Sequence, residues 1–420
     1  MAPPPDHRRP IKRVAISDQQ RRRELALRVQ ADRRSDAQNR ARQLASSVLS
    51  LGPVTEVEPE LEQEQEMSDA SDQSGGRTEL DPVRAASLRG PEVRRWFATQ
   101  LMLPEWMVDV PPLLDSDWYV FPRPSGKRCF VVSSNGTTVS RLRNGSILHR
   151  FPSSLPNGAR TKDVSGPSSS YSILDCIFHE ADETYYVIDM VCWRGYSLYD
   201  CTAEFRFFWL NSKLSETGAS DPPSQYHRYR FNVVQIYECN LIGLQAAYLG
   251  QVSYVKDGLL FYNKHAHYQA GNTPLALVWK DNVCSQYVLD TDNQGQIPSQ
   301  QQVVLELQND GSLTTSDDPP VALGCLSRDM IAQYGLRVGN LVRVEVRDDS
   351  VKLVDGKLDL GDLQLVGKPN RSRAFADTYS KVLFQYAARR APLRIEDLVA
   401  SIQSNPSVEN SQALDIEMEG

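Results

Sequence analysis

The 420-residue sequence has seven cysteines and no Cys-x-x-Cys pair, so the spacing of a thiolate metal site is missing. Cys176 and His179 are three apart, but two ligands cannot complete a tetrahedral site. Free, buried thiols in a reducing compartment are the expectation. Nothing approaches the ~20 consecutive apolar residues of a membrane span. The opening residues, MAPPPDHRRP, lack the apolar core of a secretory signal. These absences point to a soluble, intracellular protein with no metal, no cofactor and no membrane partner. What is present, 40% apolar residues over 420 positions, is enough for one large core, or one large and one small.

Charge is unevenly spread. Up to Ala45 there are twelve cations (Arg8, Arg9, Lys12, Arg13, Arg21, Arg22, Arg23, Arg28, Arg33, Arg34, Arg40 and Arg42) against five acids. That local charge of +7 sits on a chain whose total is -7, so one end suits an anionic partner and the rest does not. Prolines keep the first fifteen residues extended. Ser17 and Gln20 have capping-box spacing, and a helix is expected from there to about Ala45. Its apolar stripe of Leu25, Val29, Ala37, Ala41 and Leu44 is thin, so it is expected to fold on a partner.

The chain divides by composition into a basic arm (1–46), an acidic linker (47–92) in which Glu56 to Glu66 alternate with other residues, and a folded domain (93–295). A smaller β/α extension (296–404) and a tail (405–420) follow. The linker and the tail are too polar to bury a core and are expected to be disordered. In the extension, Val303–Leu307, Leu341–Val346 and Lys357–Leu360 alternate like strands, with helices over Ser327–Tyr334 and Ala374–Arg389. A small barrel is one reading of that pattern.

The stretch Asp257–Lys280, DGLLFYNKHAHYQAGNTPLALVWK, reads as two strands, the first entered from an Asp-Gly turn. Alternation puts Leu275, Leu277 and Trp279 on one face of the second strand and Ala276, Val278 and Lys280 on the other. It resembles the last two motifs of the covalent nucleotidyltransferases, mRNA capping enzymes and DNA ligases, with Val278 in place of the first lysine of the second motif. Further upstream, Gly126 and Arg128 match the second half of K-x-D-G-x-R, while Arg123 stands at the nucleophilic lysine and Ser125 at its aspartate. Leu174-Asp175-Cys176-Ile177 falls where L-D-G-E is expected, so Ile177 replaces an acid. Arginine keeps its proton at cellular pH and cannot attack a phosphate. The implied fold is α+β, an antiparallel-sheet nucleotidyltransferase-like domain behind a helical arm, with its chemistry removed and no metal held.

Arg21-Arg22-Arg23-Glu24-Leu25 and Asn39-Arg40-Ala41-Arg42-Gln43-Leu44-Ala45 resemble the importin-β-binding domain of import adaptors. Joined to Leu101–Pro111, Gly126–Arg128, Ile173–Ile177, Tyr185–Gly195, Tyr199–Phe207 and Thr273–Leu275, the arm makes the chain similar to the snurportin family, over about residues 7 to 290. These are adaptors that bind the 2,2,7-trimethylguanosine cap of spliceosomal small nuclear RNAs and link the particles to importin-β, shuttling between nucleus and cytoplasm. The resemblance implies that Trp279 stacks on the methylated base and Trp106 lies beside its methylated amine. It implies an apolar contact from Leu103, and Lys127, Arg128 and Arg143 on the triphosphate. N7-methylguanine is a flat cation, which suits aromatic faces. Pro104 replaces the family's serine and removes a hydroxyl and a backbone N–H. A nuclear export receptor is a further implied partner, although the leucine-rich start of animal members has no counterpart ahead of the arm. An active guanylyltransferase and a general RNA-binding protein are the alternatives.

Overall fold

The computed structural model describes residues 19–30, 41–42, 44–45, 91–160, 170–292, 294–346, 352–354, 357–360, 363–369 and 373–404. The extended lead with Arg8, Arg9, Lys12 and Arg13, the Ser17 cap, the segment with Arg33, Arg34 and Arg40, most of the linker and the tail lie outside these residues.

Along the chain come α1 (Gln19–Gln30), α2 (Pro91–Phe97), β1 (Met102–Trp106), α3 (Leu114–Asp117) and β2 (Trp118–Pro124). Next are β3 (Lys127–Ser134), β4 (Thr137–Leu142), β5 (Ile147–Phe151), β6 (Tyr171–His179), β7 (Thr184–Trp193) and β8 (Tyr196–Ser197). They lead to α4 (Ala203–Ser215), β9 (Arg230–Val233), β10 (Tyr237–Glu238), α5 (Leu241–Leu249), β11 (Lys256–Asn263) and β12 (Gly271–Trp279).

These strands form two sheets. One runs β1-β12-β11-β2-β10; the other runs β5-β4-β3-β6-β7-β8, with β9 parallel to β7. Most pairings are antiparallel, with β1 joined to β12 in parallel. Strands buried on both sides explain the near-continuous apolar runs. Even-numbered Phe130, Val132, Tyr186, Ile188, Ala276 and Val278 fill the core between the sheets. Odd-numbered neighbours Cys129, Val131, Tyr185 and Val187 build a second core beneath α4. On the far side of the first sheet, Leu259, Phe261, Leu277 and Trp279 build a third. The two faces read from Leu275–Lys280 are therefore both present, and both are interior.

The extension supplies β13 (Gln301–Leu307), β14 (Ser312–Thr314), β15 (Ala322–Cys325), α6 (Arg328–Gln333), β16 (Leu341–Val346), β17 (Lys352–Val354), β18 (Lys357–Asp359) and β19 (Leu363–Gly367). Five of these strands make a sheet, β15-β14-β13-β16-β19, and β17 pairs with β18. Its helices α7 (Tyr379–Arg390) and α8 (Ile395–Gln403) turn back onto the first sheet, where Phe384, Leu393, Leu398 and Ile402 complete the third core. The expected helix from Ala374 begins five residues later. Thr378 is its N-cap, accepting from the Lys381 N–H, while Asp377 ahead of it pairs with Arg373 and Lys381.

Helix α1 does not use its apolar stripe to meet the domain. Leu25 is 59% exposed, whereas Gln19, Arg23 and Gln30 are buried. The helix lies on the domain through its polar side, since amide and guanidinium groups can satisfy strand-end carbonyls that leucine cannot. Farther along the arm, Ala41 and Leu44 do join the core between the sheets.

Candidate functional site

Arg123, at the position of a nucleophilic lysine, is half-buried and paired with Asp257 at the start of β11. Asp257 also binds Lys280 and accepts from Ser285 Oγ at 2.8 Å. Two cations and a hydroxyl hold this carboxylate below its ordinary pKa against the opposing effect of burial. Ile177 and Val278 are buried in the core between the sheets, so the two other altered positions are walls without polar atoms. Arg123 keeps its proton and cannot attack phosphorus as the motif's lysine does.

Arg128, on β3, reaches residues that line the same core. Its Nε donates to Asp175 Oδ1 at 2.7 Å and its Nη2 to Asp175 Oδ2 at 2.8 Å. Nη2 also donates to the Met102 carbonyl at 2.9 Å, and Tyr268 Oη donates to Asp175 at 2.7 Å. Burial works against the charge, but the bidentate bond outweighs it and keeps the guanidinium's pKa above its ordinary value. The expectation that Arg128 grips a triphosphate is corrected: its Nε and Nη2 are committed to Asp175 and to holding β1. A parallel pair, Arg206 with Asp189, is buried nearby, with both oxygens bonded at 2.9 Å.

Trp279 also departs from its expected role. It is 0% exposed, packs against Tyr248 at 6.0 Å between centroids, and donates its indole N–H to the Leu393 carbonyl at 3.0 Å. A ring enclosed on both faces with its one donor satisfied is a core residue, not a platform for a base. Trp118 and Trp193 are core, as expected. Trp209, expected to be core as well, is only half-buried, with its ring 5.6 Å from that of the exposed Phe205.

Three of the expected residues keep accessible groups. Trp106 is half-buried on β1, an edge strand. The Lys280 ammonium stands 5.6 Å from its ring centroid and Phe384 packs at 4.8 Å. That ring therefore already presents its electron-rich face to a cation. Lys127 is exposed, with Glu180 at 2.7 Å. Arg143, in the turn after β4, lies 4.8 Å over Phe375, and its Nε is buried without a hydrogen bond. Burial, reinforced by Arg373 and Arg128, lowers its pKa. Leu103 is half-buried against the core between the sheets. The β1–β12 register shifts between Pro104 and Glu105, as expected where a proline supplies no ladder donor on an edge.

Sequence reasoning missed the partners around Trp106. Its backbone N–H donates to Ser380 Oγ at 3.1 Å and its carbonyl accepts from Gln19 Nε2 at 2.9 Å. Glu105, 2% exposed, is paired with Arg22 and accepts from Gln19 at 2.9 Å. At the other end of α1, Gln30 donates to the His265 carbonyl at 3.2 Å and accepts from the His267 N–H at 2.6 Å. Arg23 is buried 5.8 Å from the Trp118 ring, and desolvation lowers its pKa to about 10. Of the arm residues assigned to a receptor, Arg22 and Arg23 are thus engaged on the domain, while Arg21, Leu25, Arg28 and Arg42 are exposed. Periodicity gives no sign of this, because the contacts come from polar side chains.

Among solved structures, a mycobacterial DNA ligase D complexed with ATP and MES is 12% identical, covering 66% of this chain and 96% of its own, with a TM-score of 0.34. The ATP-dependent DNA ligase from bacteriophage T7 in complex with ATP is 11% identical, covering 65% and 99%, with a TM-score of 0.32. The Chlorella virus DNA ligase-adenylate is 12% identical, covering 64% and 99%, with a TM-score of 0.29. Residues 100–280 match the family model described as Snurportin1, m3G cap-binding domain, so this part of the chain is similar to a snurportin cap-binding domain.

Proposed function

We propose that the chain is a non-enzymatic adaptor that binds the 2,2,7-trimethylguanosine cap of small nuclear RNA and carries it into the nucleus through an importin-β-type receptor. The observation that carries this reading is Trp106. Its ring sits on an edge strand of the matched domain with an ammonium already over it, and an N7-methylated guanine is a cation of the kind that can replace Lys280 there. Leu103 supplies an apolar flank. Lys127 and Arg143 are the cations for the triphosphate bridge; the bond from Arg128 to the Met102 carbonyl positions β1, and Trp279 supports the strand from behind. The arm, with twelve cations before Ala45, suits the acidic groove of a helical-repeat receptor.

The test is a titration of the full chain with trimethylated and monomethylated cap analogues, alongside incubation with labelled GTP and a divalent metal. Tighter binding of the trimethylated analogue with no labelled protein band supports the reading. A covalent guanylylated band would instead make the chain a guanylyltransferase.

A further inference from the structure

A cavity of about 340 Å³ opens at the β7–β9 edge of the second sheet, lined by Thr184, Tyr186, Arg228, Arg230, Asn232 and Ser253 among others. None of these residues belongs to the site described above. Arg230 and Asn232 lie on one side of β9, with Arg228 one further two-residue step before the strand. Steps of two residues along a strand are about 6.6 Å, so Arg230 and Asn232 form two rungs of a ladder of donors, and Arg228, just before the strand, adds a third donor to the cavity lining. Neither Arg228 nor Arg230 has an ion-pair partner among the described residues, and Arg230 Nε is buried without a hydrogen bond.

The two acids at the rim do not cancel this charge at close range. Asp182 is turned back into its own loop, accepting from His179 Nδ1 at 2.8 Å, the Thr184 N–H at 3.2 Å and Tyr186 Oη at 2.7 Å. Glu183 is exposed at the tip of that turn, with a φ of 51°. The donors left open are two guanidiniums and an amide, which suit oxyanions carried on a flexible chain; the Ser253 hydroxyl is held by Tyr186 Oη at 3.2 Å. The cavity also continues the face that carries Arg128. Arg128 pairs with Ile177, Ile177 with Tyr186, and Tyr186 with Asn232, three strand spacings or about 14 Å.

We infer that this ladder binds the phosphodiester backbone of single-stranded RNA, namely the nucleotides that follow the cap; the inference rests on the cap-binding reading. Its test uses the full chain, a trimethyl-capped dinucleotide, a trimethyl-capped decamer and the same decamer uncapped. In Arg228→Gln/Arg230→Gln, capped-decamer affinity falls about tenfold while dinucleotide affinity is unchanged. Counter-ion release contributes roughly 0.7 to the salt slope per single-strand phosphate, so losing two contacts lowers the decamer's slope by about 1.4. Asn232→Asp, which keeps both arginines and adds a repelling charge, weakens the decamer in the same direction and serves if the double variant is destabilised. Decamer affinity and slope equal to wild type in both variants overturn the inference. So does loss of inorganic phosphate binding alone, which would mark a small-anion site. Wild-type protein that fails to prefer capped over uncapped decamer breaks the cap reading instead, and the uncapped decamer still reports on the ladder.

Discussion

Arg22 on the N-terminal helix closes over Glu105, a carboxylate 2% exposed on the strand that carries Trp106, and its Nη2 donates to Oε2 at 2.8 Å. Removing either partner has different consequences. Arg22→Ala leaves a buried charge unpaired, which is costly, so the melting temperature should fall. Glu105→Gln keeps the shape and removes the charge, so the domain should melt almost as before while the helix is held less tightly. A hydrogen bond to a charged group contributes about 1.5–3 kcal/mol; at the low end, the released population rises about tenfold. Trypsin cleavage after Arg21 to Arg23 reads that population directly. Equal cleavage rates in wild type and Glu105→Gln would show that the pair does not hold the helix.

The two tryptophans assigned to the cap separate cleanly. Trp279→Ala opens a cavity in the third core, and such changes cost about 3–5 kcal/mol, so the melting temperature drops sharply. Trp279→Phe loses the bond to the Leu393 carbonyl and less volume, and falls between. Trp106→Ala truncates a half-buried ring on an edge strand and leaves the melting temperature nearly unchanged. Its effect belongs to cap affinity: loss of base stacking is worth roughly 1–3 kcal/mol, or about ten- to a hundredfold. A stable Trp279→Ala protein with impaired cap binding would restore the assignment read from the sequence.

That misassignment shows where sequence reasoning stops. Two-residue alternation placed Val278 and Trp279 on opposite faces correctly, because the pleat is a local property. Which face meets a ligand depends on Leu393 and α8, more than a hundred residues away, and no local pattern encodes that. The same holds for Arg128. Its residue type suits phosphate, but Asp175, 47 positions on, takes Nε and Nη2. The replaced motif positions were legible, since Arg123, Ile177 and Val278 differ in kind from the lysines and acid of the motifs. The docking of α1 was not, because Gln19, Arg22 and Gln30 act through hydrogen bonds rather than through a periodic apolar face.

His149 gives the fold a pH dependence. Its Nδ1 lies 2.7 Å from Tyr185 Oη, its ring stacks on Tyr229 at 4.8 Å, and burial lowers its pKa, helped by Arg228 and Lys127 and opposed by Glu183 and Glu180. Because the folded value lies below the unfolded value of about 6.5, the unfolded chain binds more protons between the two. The stability contributed by neutral His149 is therefore full above pH 6.5 and is lost as pH falls through that window. Melting curves from pH 5 to 7.5 should show this slope, and His149→Gln should flatten it. An unchanged slope would place the titration elsewhere.

Arg143 should behave as a functional residue at the expense of stability. A guanidinium with a buried, unbonded Nε beside Arg373 and Arg128 is unfavourable in the free protein, since desolvation and like charge both act against it. Replacing it with methionine keeps the packing over Phe375 and removes the charge, so Arg143→Met should melt at a higher temperature than wild type when no ligand is present. With a trimethylated cap dinucleotide the order should reverse. A triphosphate adds negative charge beyond that of Asp377, which alone does not offset burial and the two arginines, and a charged hydrogen bond of about 1.5–3 kcal/mol corresponds to roughly a ten- to hundredfold loss of affinity. The methylated nucleoside alone, without phosphates, should bind both proteins equally. Calorimetry on the four combinations of protein and ligand decides the matter: a variant that loses stability and keeps dinucleotide affinity would make Arg143 a structural residue.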